Sequence, residues 1–157
     1  MAATSIRMAA VRRLMDLLKA EAGFADVEVE YGLPDERGIG EPWCFVRIAD
    51  DGATTVTKMR AGRKPREDRF DIELTVAICY GADTESGMQT AEQVEDLFAV
   101  VELLVATNPT LALDGNGLDG LTWIAQLGES DGPSVTPVTT GYAAFWNARF
   151  TCLSHLY

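Results

Sequence analysis

One histidine, His155, is all that this sequence holds. A His-rich metal site is therefore excluded, and so is a catalytic dyad built on histidine elsewhere in the chain. Cysteine is scarce too. Cys44, Cys79 and Cys152 are far apart, odd in number and without a CxxC pair. That pattern argues against a disulfide framework and against a structural zinc site. Each falls in a predicted strand and reads as a small core or sheet residue. His155, close to the C-terminal end, reads as an edge or interface residue. Long apolar runs are missing as well: none approaches the roughly 18 residues that span a bilayer. The opening Met1-Ala2-Ala3-Thr4-Ser5-Ile6-Arg7-Met8 lacks the uninterrupted apolar centre of a signal peptide. The expectation is a protein made and kept in the cytoplasm, with no membrane partner.

Catalytic motifs are absent. Gly38-Ile39-Gly40 has neither the third glycine nor the following helix of a dinucleotide fingerprint, and there is no Walker loop, HExxH or GxSxG. Asp50-Asp51 and Glu67-Asp68 are adjacent carboxylates, a pairing that can bind a divalent cation. Neighbouring strand residues point to opposite faces, however, and turn carboxylates are common, so no metal is expected. With no activated nucleophile either, the reading is of a non-enzyme without cofactors.

Positive charge is the next shortage. Against 24 acidic residues stand 13 basic ones, for a net charge of −11. Such a surface repels bare nucleic acid unless its cations are concentrated locally. They are: Lys58, Arg60, Arg63, Lys64, Arg66 and Arg69 share one stretch whose only acids are Glu67 and Asp68. That stretch carries +4 and leaves −15 on the remainder. A solvated loop touching nothing, a contact with the DNA backbone, and a contact with an acidic protein partner all fit it. The last is favoured, a neighbouring copy included, because the rest of this chain is itself acidic. Complementarity of that kind guides encounter and register more than it adds affinity.

What the chain does have is amphipathic patterning. Its 47% hydrophobic and 24% charged content over 157 residues fits one folded domain, residues 1–157, with a real core. Arg69 to Tyr80 organises it. Phe70, Ile72, Leu74, Val76, Ile78 and Tyr80 alternate with Asp71, Glu73, Thr75, Ala77 and Cys79. Strict alternation over that length predicts a strand with one buried and one wetter face, placed at the sheet centre. Asp71 and Glu73 share the wetter face with Thr75. They are positioned to pair with Arg47 or Arg149 on neighbouring strands, or to meet another subunit.

A first helix is predicted over residues 5–22, with Ala10, Leu14, Leu17 and Leu18 as its stripe, Ile6 and Val11 at the margins, and Gly23 as its stop. Val27, Val29 and Tyr31 mark a short strand, and residues 32–42, rich in glycine and proline, a loop. Trp43 to Ala49 reads as a strand, Asp51-Gly52 as a hairpin turn, and Thr54 to Lys58 as the returning strand. The basic loop of about residues 58–69 then protrudes before the central strand. Ser86-Gly87-Met88-Gln89 fits a capping box for a second helix, from about Gly87 to Ala106. That helix buries Ala91, Val94, Leu97, Phe98, Val101, Leu104 and Val105 against a solvated face of Glu92, Glu95, Asp96 and Glu102. Asn108-Pro109 ends it. Leu121 to Leu127 reads as a strand, Gly128 to Thr140 as a polar loop, and Gly141 to Ser154 as the last strand. The order is α-β-β-β-β-α-β-β. It predicts an α+β fold in which both helices pack on one face of a mainly antiparallel sheet.

Taken in order, these segments carry a family likeness. A helix rich in Ala, Leu and Arg leads into Val27-Glu28-Val29-Glu30-Tyr31-Gly32-Leu33-Pro34. A Trp-containing strand and an Arg-rich loop follow, then Arg66-Glu67-Asp68-Arg69-Phe70-Asp71-Ile72-Glu73-Leu74-Thr75-Val76. Thr90-Ala91-Glu92-Gln93-Val94-Glu95 opens the second helix, and Asn108-Pro109-Thr110-Leu111 comes after it. From about residue 8 to 154 the chain resembles the tail terminator (tail-tube completion) proteins of long-tailed phages, especially those of actinobacterial hosts. The resemblance implies an α+β subunit that forms a ring, usually a hexamer, on the head-proximal end of the tail tube. Such a ring halts tube polymerisation and offers a surface to the head–tail connector or neck. Genomic DNA passes through its lumen without specific binding. The expected location is the virion, after assembly in the host cytoplasm, and the family brings no catalytic residue. Beside it stand another ring-forming neck protein and a small DNA-binding module using the basic loop. Aromatic residues that would stack on bases are missing from that loop, apart from Phe70 at its edge.

Overall fold

The computed structural model describes residues 7–32, 42–49, 53–56, 66–80, 84–108, 122–138 and 141–156. Its elements follow as α1 (Arg7–Ala20), a short 3-10 turn (Ala22–Phe24), β1 (Glu28–Tyr31), β2 (Trp43–Ile48), β3 (Ala53–Val56), β4 (Arg66–Tyr80), α2 (Thr84–Thr107), β5 (Thr122–Val138) and β6 (Gly141–Leu156). The fold is α+β, in the expected order of helices and strands. The strands form one six-stranded sheet in the order β1-β2-β4-β6-β5, with β3 paired to β4 off that path. Among the described strands only the β1–β2 pair is parallel.

β4 lies in the middle because its sequence suits nothing else. Phe70, Ile72, Leu74, Val76 and Ile78 are buried, while Asp71, Glu73, Thr75, Ala77 and Cys79 are half exposed. A residue placed out of step would carry its carboxylates into the core, so register is strongly specified. The core forms where this apolar face meets both helices. α1 adds Ala10, Val11, Leu14 and Leu18, and α2 adds Val94, Phe98, Val101, Leu104 and Val105, to one cluster with Cys44, Val46, Ala148, Phe150 and Cys152. α1 covers β1 and β2, and α2 covers β4, β5 and β6, so both helices lie on the same face. Phe98 stacks on Trp146 with ring centroids 4.8 Å apart. At the other end of the sheet, the Arg7 guanidinium sits 5.5 Å above the Phe70 ring.

Several boundaries differ from the expectation. Asp51-Gly52 lies outside the described residues, but the β2–β3 hairpin expected around it is not formed, since both strands pair with β4. β3 runs on in the same sense as β2 along the same edge of β4, with Ile48 opposite Ile72 and Ala53 opposite Arg69. β4 has 15 residues and β2 only six, so the rest of that edge needs a second partner for its backbone groups. The hairpin is instead between β3 and β4, with Val56 paired to Arg66. Nor is Gly128 to Thr140 a loop: β5 continues to Val138. It is an edge strand with exposed side chains. An edge strand needs no apolar alternation and tolerates proline, because one row of its N–H groups faces away from the sheet.

α2 starts at Thr84, so Ser86 lies in its first turn rather than capping it. The N–H groups of that turn have no intrahelical partner in any case, which makes a start earlier than the capping signal inexpensive. α1 stops at Ala20 and Gly23 falls in the following 3-10 turn. Val11 is fully buried rather than marginal, and Phe24 is a core residue that no periodicity announces. His155 is not at an edge, since β6 pairs there with Glu67 of β4 on one side and Thr122 of β5 on the other.

Candidate functional site

With both described helices on one side, the opposite face of the sheet is where side chains from adjacent strands meet without a helical cover among the described residues. Rows across it follow from the register. Arg47, Glu73 and Arg149 stand directly opposite one another on β2, β4 and β6, and Glu129 of β5 comes next. Phe45, Thr75, Asn147 and Asp131 form the adjacent row, and Trp43, Ala77 and Phe145 the one beyond. The face thus grades from ionic to aromatic. Trp43 and Phe45 are stacked, with centroids 6.2 Å apart and planes 12° apart, and both are buried.

Asp71 and Glu73 find the partners expected of them. Glu73 pairs with Arg47 on one side and with Arg149 on the other, where Nη2 lies 3.2 Å from Glu73 Oε1. Arg149 Nε lies 3.6 Å from Asp71 Oδ2. The Thr75 hydroxyl donates to Asn147 Oδ1 at 2.8 Å. These four charges close on each other within the chain, so another molecule meets them as a neutral cluster and not as bare acids. Each side chain keeps about a quarter to a third of its surface in water. Ion pairs so exposed contribute about 1 kcal/mol or less. Glu73→Ala is accordingly expected to cost the isolated chain about 1 kcal/mol at most, with the difference shrinking at high salt. Urea unfolding in low and high salt checks this.

Where β5 departs from regular pairing, the same face opens into a cleft of about 590 Å³. Glu73, Thr75, Glu129, Asp131, Asn147 and Arg149 are among its walls. Two irregularities make it, between Leu127 and Glu129 and between Asp131 and Ser134. Glycine permits both. A Cβ at Gly128 would lie 2.7 Å from Thr151 Oγ1, and one at Gly132 would lie 2.8 Å from the Trp146 ring. Bulges of this kind at a sheet edge re-aim side chains. Here they tilt Glu129 and Asp131, both exposed, onto the rim of the cleft. Sequence reasoning placed neither residue in a site, because it took this segment for a loop. The glycines of Gly128-Glu129-Ser130-Asp131-Gly132 were the available signal.

The remaining expected interface residues divide. Lys58, Arg60, Arg63 and Lys64 lie outside the described residues. Arg66 opens β4, opposite Val56 and Leu156. Arg69 is exposed and shares the face of Asp71 and Glu73. The run therefore joins the paired ends of the β3–β4 ribbon. Among the described residues no group of three His, Cys, Asp or Glu side chains could hold a metal ion, and no helix is long and apolar enough to cross a membrane. Cys44 and Cys152 are buried free thiols whose ionisation burial disfavours. Compared with known proteins, the chain matches no family model and no curated sequence.

Proposed function

We propose that this chain is a structural virion protein and no enzyme, whose copies close into a ring, a hexamer, on the head-proximal end of a phage tail tube. The ring stops tube polymerisation and presents its other side to the neck. DNA passes through an acidic lumen that does not hold it. One observation carries the reading: six basic residues, Lys58 to Arg69, are gathered at one end of the central strand of a chain whose remainder is −15. Like copies repel through their acidic bodies and attract through this run, which favours a defined mutual orientation over random association. The α+β architecture and a sheet face without helices among the described residues suit a subunit that packs side by side. The order of segments from residue 8 to 154 supports the same conclusion.

Depleting the protein during phage growth tests it. The expected result is overlong tail tubes by electron microscopy. Tails of normal length beside unjoined heads would move the protein to the neck. A DNA-binding role predicts instead duplex binding that falls steeply with salt.

A further inference from the structure

The ring reading leaves open where the basic run lands, and the sheet face answers. We propose that the cleft across β4, β6 and the irregular part of β5 receives the Lys58–Arg66 run of a second copy of this chain. The inference rests on the assembly reading above and adds the receiving surface to it.

Three features point to this occupant. The cleft is open, and Glu73, Glu129 and Asp131 set three carboxylates against the single guanidinium of Arg149 in its walls. Glu73 is already engaged by Arg47 and Arg149, which leaves the exposed Glu129 and Asp131 to meet incoming cations. Guanidinium groups suit that task, because they bind carboxylates in a forked geometry and shed water cheaply. Thr75, Asn147 and Ser130 add neutral acceptors between the acids. The chain's own stock of concentrated positive charge is the run between β3 and β4.

That run cannot span both rim acids of its own subunit's cleft. Asp131 stands level with Thr75, nine residues along β4 from Arg66, or about 30 Å at the rise of an extended strand. Nine residues that begin and end at the Val56–Arg66 pair can extend at most about 17 Å from it. Even with an arginine at the tip they fall short of Asp131, so an occupant that engages both rim acids comes from a neighbour. Each copy then gives one run and accepts one, a head-to-tail contact that closes into a ring when its rotation permits.

Charge exchange tests the pairing. Self-association is measured by native mass spectrometry over a range of concentrations, for the chain alone and with purified tail tubes. Reversing the run (Arg60→Glu with Arg63→Glu) is expected to raise the midpoint concentration about tenfold or more. Reversing the rim (Glu129→Lys with Asp131→Lys) is expected to do the same. Combining the two sets is expected to restore the midpoint to within about threefold. Both rim side chains are exposed on an edge strand, so the fold should survive, which circular dichroism checks. A rim reversal without effect, beside a run reversal that acts, overturns the landing site and leaves assembly through the run standing. A combined variant as weak as either set alone also overturns it. A wild-type chain that stays monomeric, even with tubes present, overturns both readings.

Discussion

Phe150→Ala is expected to cost about 3–5 kcal/mol, the range for removing a large aromatic side chain from a core that cannot collapse around the void. Phe150 is 1% exposed. It stands between Ile72 of β4 and Leu127 of β5, in the cluster shared by both helices. A chain of this size moves by about 2–4 °C for each kcal/mol, so the melting temperature should fall by roughly 6–20 °C. Leu103→Ala is the control. Leu103 is as apolar but 66% exposed on α2, and its loss should stay within about 0.5 kcal/mol. The consequence reaches the open face, because Arg149 precedes Phe150 and points to the other side of β6. A strand that shifts to fill the void shifts Arg149 against Asp71 and Glu73. Equal melting temperatures for the two variants would mean that the helices do not close on this face of the sheet.

How much of this could be read from the residues depends on where the information resides. β4 was legible because its alternation is a property of the strand alone: any partner must meet one apolar and one polar face. The ion pairs followed, since Asp71, Glu73, Arg47 and Arg149 each fall on the phase of their strand that alternates with its core positions. The apolar stripe of α2 was legible for the same reason at helical spacing. β5 beyond Leu127 was not, because its strand character comes from pairing with β6 and from no pattern of its own. Gly128, Pro133 and Pro137 are turn residues by local rules and edge-strand residues by position. The same applies to Asp51-Gly52. A hairpin and a continuation along β4 read alike locally, and the unused length of β4 decided between them. The cleft was illegible in turn, since its walls come from three strands and its rim from a stretch of β5 set between two register shifts. The basic run was plain as composition, but its landing place needed the register of three strands.

The chain should also lose stability steeply in alkali, through two thiols that touch no partner molecule. Cys44 is buried on β2. Desolvation of its thiolate pushes its pKa far above the ordinary thiol value of 9.0. Burial does the same for Cys152, with the nearby Asp71 charge opposing ionisation further, against a smaller opposite effect from a backbone hydrogen bond with Ile72. The Cys152 thiol lies 3.4 Å from the Phe150 carbonyl, to which it donates, and ionisation would forfeit that contact. The sign follows directly. Below the ordinary value both states keep their protons and the thiols have no effect on the pH dependence. Above it the unfolded chain releases two protons that the folded chain retains, so each further pH unit favours unfolding. The slope is about 1.4 kcal/mol per unit for each thiol. At pH 10.5 the two together remove about 4 kcal/mol, a large part of a typical domain's 5–15 kcal/mol. The comparison with a variant lacking both thiols is of slopes. Urea unfolding between pH 8 and 10.5 should show a steep decline for the wild type, and a shallower one for Cys44→Ala with Cys152→Ala, whatever the cavities cost at pH 8. Alkylation gives an independent reading. In the folded chain at pH 8 the half-buried Cys79 should take the label while Cys44 and Cys152 do not, and all three should take it in urea. Parallel stability profiles, or three labels on the folded chain, would mean that the apolar face of the sheet is open to water and that the packing of both helices against it is wrong.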